Sequence, residues 1–381
     1  MVTPPAPRLE IDLAKIRHNT TQLVQRLGSA GVSVTGVTKG VCGDPAVARA
    51  MLQGGVHYLG DSRLENISRL RAAGLGATFV LLRSPQLSRV AEVVASVDIS
   101  LNSEIEVITR LSQAAVAQRR QHRVLLMVEQ GDLREGLQEA DLDAAIERCR
   151  ALPNIVLEGI GTNLTCLNGI KPDRGKMTQL SRIATRIRRR YGLPLATVSG
   201  GNSSTLDWLL SSDDPLAINN LRLGEAILLG RETLYQAPLH GLYQDAITLV
   251  CEVIEAQHKQ GSPSGDRVPN AFGEILAIQT KGQMLRAVLG IGQQDVPSHA
   301  LHPQDQRLQI VGATSDHLVL DASAAPLAVG DEVRFQLSYS GLLATMTSPF
   351  VSKHLLNAHG AQPHQPMPAL PTTTTALPGT R

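Results

Sequence analysis

Three groups of residues in this chain have types and positions suited to chemistry, and the first is built around Lys39. This lysine follows the apolar run 32–37, which predicts a buried strand. A lysine at the end of such a strand can be shielded from water, which lowers its pKa and makes its amine a nucleophile. Taken alone, a surface lysine that begins a loop is the simpler interpretation, so the role of Lys39 depends on what accompanies it.

The second group is a glycine-rich turn at residues 199–204, directly after another apolar run. Its sequence is Ser199-Gly200-Gly201-Asn202-Ser203-Ser204. Glycines let the backbone approach a ligand closely, and free N–H groups with serine hydroxyls suit an anion at the start of a helix. The turn therefore predicts phosphate binding, and the alternative is an ordinary turn that ends in an Asn or Ser helix cap.

The third group consists of Arg222 and Gly224, which follow the apolar run 217–221. An arginine at the end of a barrel strand points into the site and needs a hydrogen-bond acceptor. The N–H of Gly224 is available to the same phosphate as the turn. The alternative is an arginine that forms an ion pair with a carboxylate at the rim.

These groups follow the first, seventh and eighth of eight short apolar runs, with segments of helical period between them. The runs are residues 32–37, 57–59, 79–82, 97–99, 124–128, 155–160, 196–199 and 217–221. Asp44, Ser62 and Ser103 are candidate N-caps of three of the intervening helices. Strands and helices that alternate eight times predict a parallel (β/α)8 barrel, in which active sites lie at the carboxyl ends of the strands.

The second part of the chain has a different pattern. After about residue 240 the helical period fades and apolar and polar residues alternate, with Gly and Pro between the alternating runs. This pattern predicts short antiparallel strands. We therefore expect a barrel domain at residues 1–239, a C-terminal β domain at 240–358, and a disordered tail at 359–381.

Composition limits the classes of partner. The 381 residues include 36 Lys and Arg and 34 Asp and Glu, so the formal net charge is +2. This balance gives no electrostatic reason to expect a nucleic acid or a membrane surface as partner. No apolar run is long enough to span a bilayer, and the N-terminus has no signal-peptide pattern. The four cysteines lack metal-binding spacing, so we expect reduced thiols, a cytoplasmic protein and no metal site.

In order and separation, the three groups resemble those of the fold-type III pyridoxal-phosphate enzymes. The chain is similar to the alanine racemase family and, within it, to the ornithine racemase branch. The similar segments are residues 37–40, 60–66, 101–104, 159–166 and 347–351. Each segment is unspecific alone, but their combination is specific. The resemblance implies pyridoxal 5'-phosphate (PLP) as cofactor and a head-to-tail homodimer in which each β domain closes the opposite barrel.

The resemblance also implies roles for individual residues. Lys39 carries the cofactor as an internal aldimine, and Arg222 faces the pyridine nitrogen. Arg134 corresponds to the arginine that serves the substrate carboxylate, the alternative being a surface arginine. Asn163 stands where alanine racemases usually have a histidine beside the cofactor ring. The other implied cofactor-binding residues are Ser199, Gly201, Asn202, Ser203, Ser204 and Gly224, with the phosphate held by the last three.

The chain departs from the alanine racemase pattern at three places. Gly43 replaces the tyrosine that follows the cofactor lysine, and Gln293 replaces the tyrosine that is the second catalytic base. At residues 315–317 the chain has Ser-Asp-His where the family has Ser-Met-Asp. A glutamine side chain cannot act as a base. Either another group is the second base, or the protein does not racemise.

Three residues are candidates for that second base, in the order His317, Asp295 and Cys166. The unperturbed pKa of histidine is near neutrality, and His317 lies in the segment expected to reach the site of the partner subunit. The alternative for His317 is a turn histidine packed in the β domain. Cys166 would act only if its thiolate is stabilised.

We therefore expect a racemase that acts on a free amino acid, and the resemblance points to a basic one. Asp61, Glu65 or Glu104 is a candidate to bind its side-chain ammonium, the alternative for each being local capping or pairing. Two other functions are less favoured. A PLP-dependent aldolase or eliminase would be expected to have a His-x-Cys pair for a metal, and a non-catalytic PLP carrier would be expected to lack the β domain.

Overall fold

The computed structural model describes residues 4–212, 214–273, 275 and 282–357. Within them the chain forms two sheets, each with its own strand arrangement. The strands are β1 (Arg8–Asp12), β2 (Ser33–Val37), β3 (Tyr58–Asp61), β4 (Thr78–Leu81), β5 (Ile99–Asn102), β6 (His122–Met127), β7 (Ile155–Gly161), β8 (Thr197–Ser199), β9 (Asn220–Leu223), β10 (Ile247–Gln260), β11 (Gln283–Leu289), β12 (Leu301–Pro303), β13 (Gln309–Ala313), β14 (Leu318–Asp321), β15 (Glu332–Leu337) and β16 (Ser352–Leu356).

Strands β2 to β9 close into a barrel in chain order, with every neighbouring pair parallel. Each of the eight predicted apolar runs overlaps one of these strands, so the predicted (β/α)8 barrel is confirmed. Inside it, Val80, Ile99, Leu101, Leu125 and Met127 form an apolar cluster of their own. This cluster fills the barrel interior, which leaves the ends of the strands as the place for polar side chains.

The helices lie between the strands along the chain; those between barrel strands pack against the outside of the barrel, and the last one joins two strands of the second sheet. They are α1 (Leu13–Gly28), α2 (Pro45–Gln53), α3 (Leu64–Ala72), α4 (Val90–Ser96), α5 (Ile105–Ala117), α6 (Leu142–Ala151), α7 (Arg174–Tyr191), α8 (Leu206–Leu210), α9 (Glu225–Leu229) and α10 (Tyr339–Thr347). α7 illustrates why they form: its buried residues recur every three or four positions, which gives one apolar face. No helix among the described residues combines the length and the apolar character needed to cross a membrane.

The second sheet is mostly antiparallel and has the order β12-β15-β10-β11-β14-β13. β1 belongs to this sheet, because it pairs antiparallel with β10 and parallel with β16. The predicted barrel segment, 1–239, thus begins with a strand of the other sheet. An ion pair from the buried Arg8 to Glu332 of β15 helps to hold it there, and Arg8 also pairs with Glu10 of its own strand. The predicted tail, 359–381, lies outside the described residues.

The three predicted helix caps had different outcomes. The side chain of Asp44 accepts hydrogen bonds from the N–H groups of the first turn of α2, as predicted. The predictions for Ser62 and Ser103 were wrong, because α3 and α5 begin one residue later and lack side-chain caps. At α3, Asp61 accepts from the N–H of Arg63 at 2.9 Å. The carboxylate at the end of β3 thus binds the residue that precedes the helix and does not cap its first turn.

Candidate active site

A cavity of about 660 Å³ opens at the carboxyl ends of the barrel strands. Its wall comes from segments that follow different strands, together with the start of α10. Eight of the residues predicted to form the site line it: Lys39, Arg134, Asn163, Cys166, Asn202, Ser203, Arg222 and Gly224. Residues up to 185 positions apart in the chain therefore meet in one space.

Lys39 stands at the start of a single 3₁₀ turn, Lys39–Val41, that follows β2. Burial is the main cause that lowers the pKa of its amine, and the positive charges of Arg134 and Arg222 lower it further. Within the described part of the chain its Nζ forms no hydrogen bond and no ion pair. The result is an amine that faces the cavity, is partly desolvated and is available for reaction.

The glycine-rich turn after β8 is shaped by its own side chains. Gly201 has a φ of +119°, and a Cβ there would lie 2.9 Å from the Thr205 hydroxyl oxygen, so glycine is required. The side chain of Asn202 accepts from the N–H of Ser204 at 2.8 Å. The Ser203 hydroxyl accepts from the N–H of Ala226 at 3.2 Å, which connects the turn to α9.

Arg222 is buried beside this turn in a network of oxygen atoms. One guanidinium nitrogen, Nη1, donates to the Ser199 hydroxyl at 2.5 Å. The other, Nη2, donates to the Thr162 carbonyl at 2.8 Å and to Asn163 Oδ1 at 3.3 Å. No carboxylate binds Arg222 within the described residues. Burial lowers the pKa of Arg222 to about 10, so the guanidinium remains positively charged at neutral pH.

Two buried polar atoms near Arg222 have no hydrogen-bond partner among the described residues: Ser204 Oγ and Asn163 Nδ2. Buried polar atoms without a partner are costly, since they have lost their bonds to water. Asn163 lines the cavity beside the arginine, whereas Ser204 follows Ser203 in the glycine-rich turn and is not itself among the lining residues. A cofactor with a phosphate and ring acceptors would satisfy both atoms, so the residues present fit PLP.

Arg134 and Cys166 complete the predicted residues on the wall. Arg134 uses Nε and Nη2 to donate to the carboxylate of Glu135, and this bond raises the pKa of the arginine. Its Nη1 makes no hydrogen bond among the described residues, so this guanidinium nitrogen is available to bind a carboxylate. The sulfur of Cys166 lies 3.3 Å from Asn202 Nδ2.

Comparison with known proteins identifies the same family that the sequence motifs resemble. The family model for the alanine racemase N-terminal domain matches residues 11–232. The chain is 38% identical over 353 residues to the ornithine racemase of Acetoanaerobium sticklandii, covering 92% of this chain and 99% of that protein. It is 37% identical over 348 residues to the lysine racemase of Thermotoga maritima, covering 91% and 98%.

The chain belongs to the alanine racemase family. Among solved structures, alanine racemase from Streptomyces coelicolor A3(2) matches with a TM-score of 0.73 at 19% identity, over 92% of this chain and 98% of that one. D-threonine aldolase from Filomicrobium marinum matches with a TM-score of 0.70 at 16% identity, over 90% and 89%. At these identities the two structures support the fold alone.

Twelve of the twenty wall residues of this alanine racemase family member were not predicted as site residues, and four of them, Glu225, Thr233, Gln236 and Tyr339, follow the last barrel strand in the chain. Tyr339 begins α10, and an added Cβ at Gly40 would lie 3.4 Å from its ring. The ring thus packs against the turn that carries Lys39, and burial raises the pKa of its hydroxyl. Its place in the sequence, just before the apolar segment 341–346, offered no chemical pattern that could have revealed it.

Two of the candidate second bases, His317 and Asp295, do not line the cavity of their own chain. His317 lies half-exposed in the turn between β13 and β14, next to Asp316. Asp295 accepts a hydrogen bond of 2.6 Å from the Ser348 hydroxyl. The N–H of Gln293 donates to Thr314 in the same turn as His317 at 2.9 Å, so the two departures from the family pattern are neighbours. Cys166 is the candidate that does line this cavity.

The acidic residues considered for a side-chain ammonium do not line the cavity either. Asp61 accepts from the Thr38 hydroxyl at 2.7 Å and from Asn66 at 3.0 Å. Glu65 forms an ion pair with Arg89, and Glu104 precedes the first residue of α5. For Asp61 and Glu65 the alternative interpretation, local capping or pairing, is therefore the one that the structure supports.

Proposed function

We propose that this protein is a PLP-dependent racemase that interconverts the L and D forms of a free basic amino acid such as ornithine or lysine. The observation that carries the proposal is the similarity to an ornithine racemase and a lysine racemase over more than nine-tenths of the chain. The cavity supports it, because a desolvated lysine amine and a buried arginine face the same space.

Residues around the glycine-rich turn would hold the cofactor. Ser203, Ser204 and the backbone of Gly224 would bind the phosphate, Asn163 would lie beside the ring, and Arg222 would face its nitrogen. When bound, PLP withdraws electrons from Cα of an amino acid and so acidifies the Cα hydrogen. Arg222 keeps its own proton at neutral pH, so it would leave the ring nitrogen unprotonated and limit that withdrawal.

The other residues would orient the amino acid and move its proton. Nη1 of Arg134 would bind the α-carboxylate, while Nε and Nη2 stay bound to Glu135. Lys39 would hold the cofactor and exchange a proton at Cα on one face. The lowered pKa of its amine increases the neutral fraction that can accept this proton.

A group from a second copy of the chain would serve the opposite face. His317 is our first candidate because it is half-exposed in a turn beside Gln293, which cannot act as a base. Asp295 is the second candidate, and Cys166, which lines the cavity of its own chain and would need no second copy, is the third. The assignment to His317 needs a head-to-tail homodimer, in which the second sheet of each chain closes the barrel of the other.

Subunit mixing tests the shared site. Lys39→Ala and His317→Asn homodimers should each be inactive, whereas random reassortment of their subunits should restore about a quarter of the wild-type sites. Failure of the two inactive proteins to complement, with both still dimeric, would assign the two groups to one chain. We further propose a cytoplasmic location, in keeping with cysteines that are all unpaired.

The activity is tested by incubating the purified protein and PLP with single L-amino acids in D2O. Chiral chromatography should show the D form of ornithine or lysine with one deuterium at Cα. Release of an aldehyde from a β-hydroxy amino acid would instead identify an aldolase. If no amino acid is racemised, exchanged or cleaved, the proposal is wrong and a carrier function takes its place.

A further inference from the structure

Two carboxylates, Glu135 and Glu225, line the cavity among the residues that the structure describes. They differ in what neutralises them. Glu135 receives two hydrogen bonds from Arg134, so its charge is already compensated. Glu225 forms no ion pair with Lys39 or with any other cation in the described ranges.

Glu225 is nevertheless buried, with 8% of its surface exposed. Oε2 accepts from the Thr233 hydroxyl at 2.8 Å, and Oε1 accepts from the Gln236 amide at 2.9 Å. Both donors are neutral. A buried carboxylate that lacks a cation is expensive, and neutral hydrogen bonds offset only part of this cost. The site is therefore complete only when a cation joins it.

The loop that supplies these two donors is itself fixed. Glu232 accepts hydrogen bonds from the N–H groups of Leu234, Tyr235 and Ala237. The guanidinium of Arg231 joins the loop to the second sheet through Gln336 at 2.7 Å. Thr233 and Gln236 are thus held in place before any ligand arrives, which reduces the entropy lost on binding.

The position of Glu225 suits the far end of a substrate. Lys39 follows β2 by two residues and Glu225 follows β9 by two residues, and these strands are neighbours in the barrel. The two side chains therefore leave adjacent positions on the same rim without touching each other. A long aliphatic side chain that starts at the Cα facing Lys39 would run along this rim, with its terminal group toward the carboxylate.

We propose that Glu225, held by Thr233 and Gln236, is the specificity-determining residue that binds the side-chain ammonium of the substrate. A carboxylate has about four acceptor sites, and two are used here, which leaves two for the ammonium. The inference rests on the proposed function, since it assumes that the enzyme turns over a basic amino acid. It goes further by assigning the recognition of the positive charge to one residue.

The test compares charged substrates with neutral ones of the same shape. kcat/KM is measured for ornithine against norvaline and for lysine against norleucine, in the holoenzyme and in Glu225→Gln. A hydrogen bond to a charged group contributes about 1.5–3 kcal/mol, so the charged-to-neutral ratio should fall roughly 10- to 150-fold, mainly through KM. Where a neutral substrate turns over too slowly, its competitive inhibition constant replaces kcat/KM.

Glu135→Gln is the matched control. Because Glu135 acts through Arg134, which would bind the α-carboxylate of every substrate, this change should slow charged and neutral substrates alike and leave their ratio within about twofold. A Glu225→Gln enzyme whose ratio also stays within twofold would overturn the assignment. Wild-type protein that racemises no basic amino acid would instead overturn the proposed function.

A second variant covers the case in which Glu225→Gln does not fold. Glu225→Asp keeps the negative charge but shortens the side chain by one methylene. The longer substrate, lysine, should therefore be favoured over ornithine. We expect the lysine-to-ornithine ratio of kcat/KM to rise about tenfold, because the loss of one hydrogen bond to a charged group changes affinity by roughly that factor. An unchanged ratio would show that Glu225 only fixes the loop.

Discussion

The unpaired hydroxyl of Ser204 allows a test of the cofactor site that needs no activity measurement. Ser204 is 1% exposed, and its Oγ has no partner among the described residues. In Ser204→Ala the apoprotein loses a desolvated hydroxyl and no hydrogen bond. Its free energy of unfolding should therefore stay the same or rise by up to about 1 kcal/mol.

With PLP bound, the same substitution should have the opposite effect. The hydroxyl is expected to donate to a charged phosphate, and such a bond contributes about 1.5–3 kcal/mol. The dissociation constant for PLP should therefore rise roughly 10- to 150-fold. Urea unfolding of the apoprotein and an absorbance titration with PLP measure the two quantities separately.

Thr205, the next residue, provides the matched control. Its hydroxyl is fully buried and donates to the Gly200 carbonyl at 2.9 Å, so it is satisfied without a ligand. Thr205→Val should destabilise the apoprotein by about 1–3 kcal/mol and change PLP affinity little. If Ser204→Ala behaves like Thr205→Val, with a less stable apoprotein and unchanged PLP affinity, the hydroxyl does not serve the phosphate.

Three further predictions concern the cofactor lysine, the second base and a buried histidine of β6. Borohydride reduction of the PLP complex should place the pyridoxyl group on Lys39, and a label on Lys171 instead would refute its role. His317→Asn should reduce net racemisation about 10²- to 10⁴-fold while one enantiomer still exchanges its Cα hydrogen; racemisation within a few fold of wild type would exclude His317. Burial lowers the pKa of His122 to about 4. The unfolded chain binds a proton at this histidine near pH 6.5, whereas the folded chain does not. The free energy of unfolding should therefore decrease by about 2 kcal/mol when the pH is lowered from 7.5 to 5. Urea unfolding at the two pH values should show that this decrease is about 2 kcal/mol smaller in His122→Asn than in wild type. An equal decrease in both proteins would contradict a buried, neutral His122.

The barrel was predictable from the sequence because its strands are buried on both faces. Such strands appear as continuous apolar runs, and a helix separates each from the next. β1 was not predictable in the same way. Its partners β10 and β16 lie more than 230 residues further along the chain, and nothing local distinguishes a strand of the second sheet from one that opens a barrel.

The site was predictable where a residue lies at or just after the carboxyl end of a barrel strand and has unusual chemistry for that place. Lys39, the turn at 199–204 and Arg222 all meet this condition. Glu225 does not, because an acidic residue at the first position of a helix is what helix electrostatics favours anyway. Its importance becomes visible only when the loop from 231 to 239 folds back and supplies Thr233 and Gln236.

The charges around the cavity are consistent with a substrate that carries an extra positive charge. Burial and two arginines lower the pKa of Lys39, which keeps its amine reactive but makes the space unfavourable for another cation. A basic amino acid brings such a cation on its side chain. A buried carboxylate with neutral donors offsets this repulsion at the far end of the side chain, without pairing with Lys39 and raising its pKa again. Separating the two charges along the rim thus allows one cavity to hold a reactive amine and to accept a basic substrate.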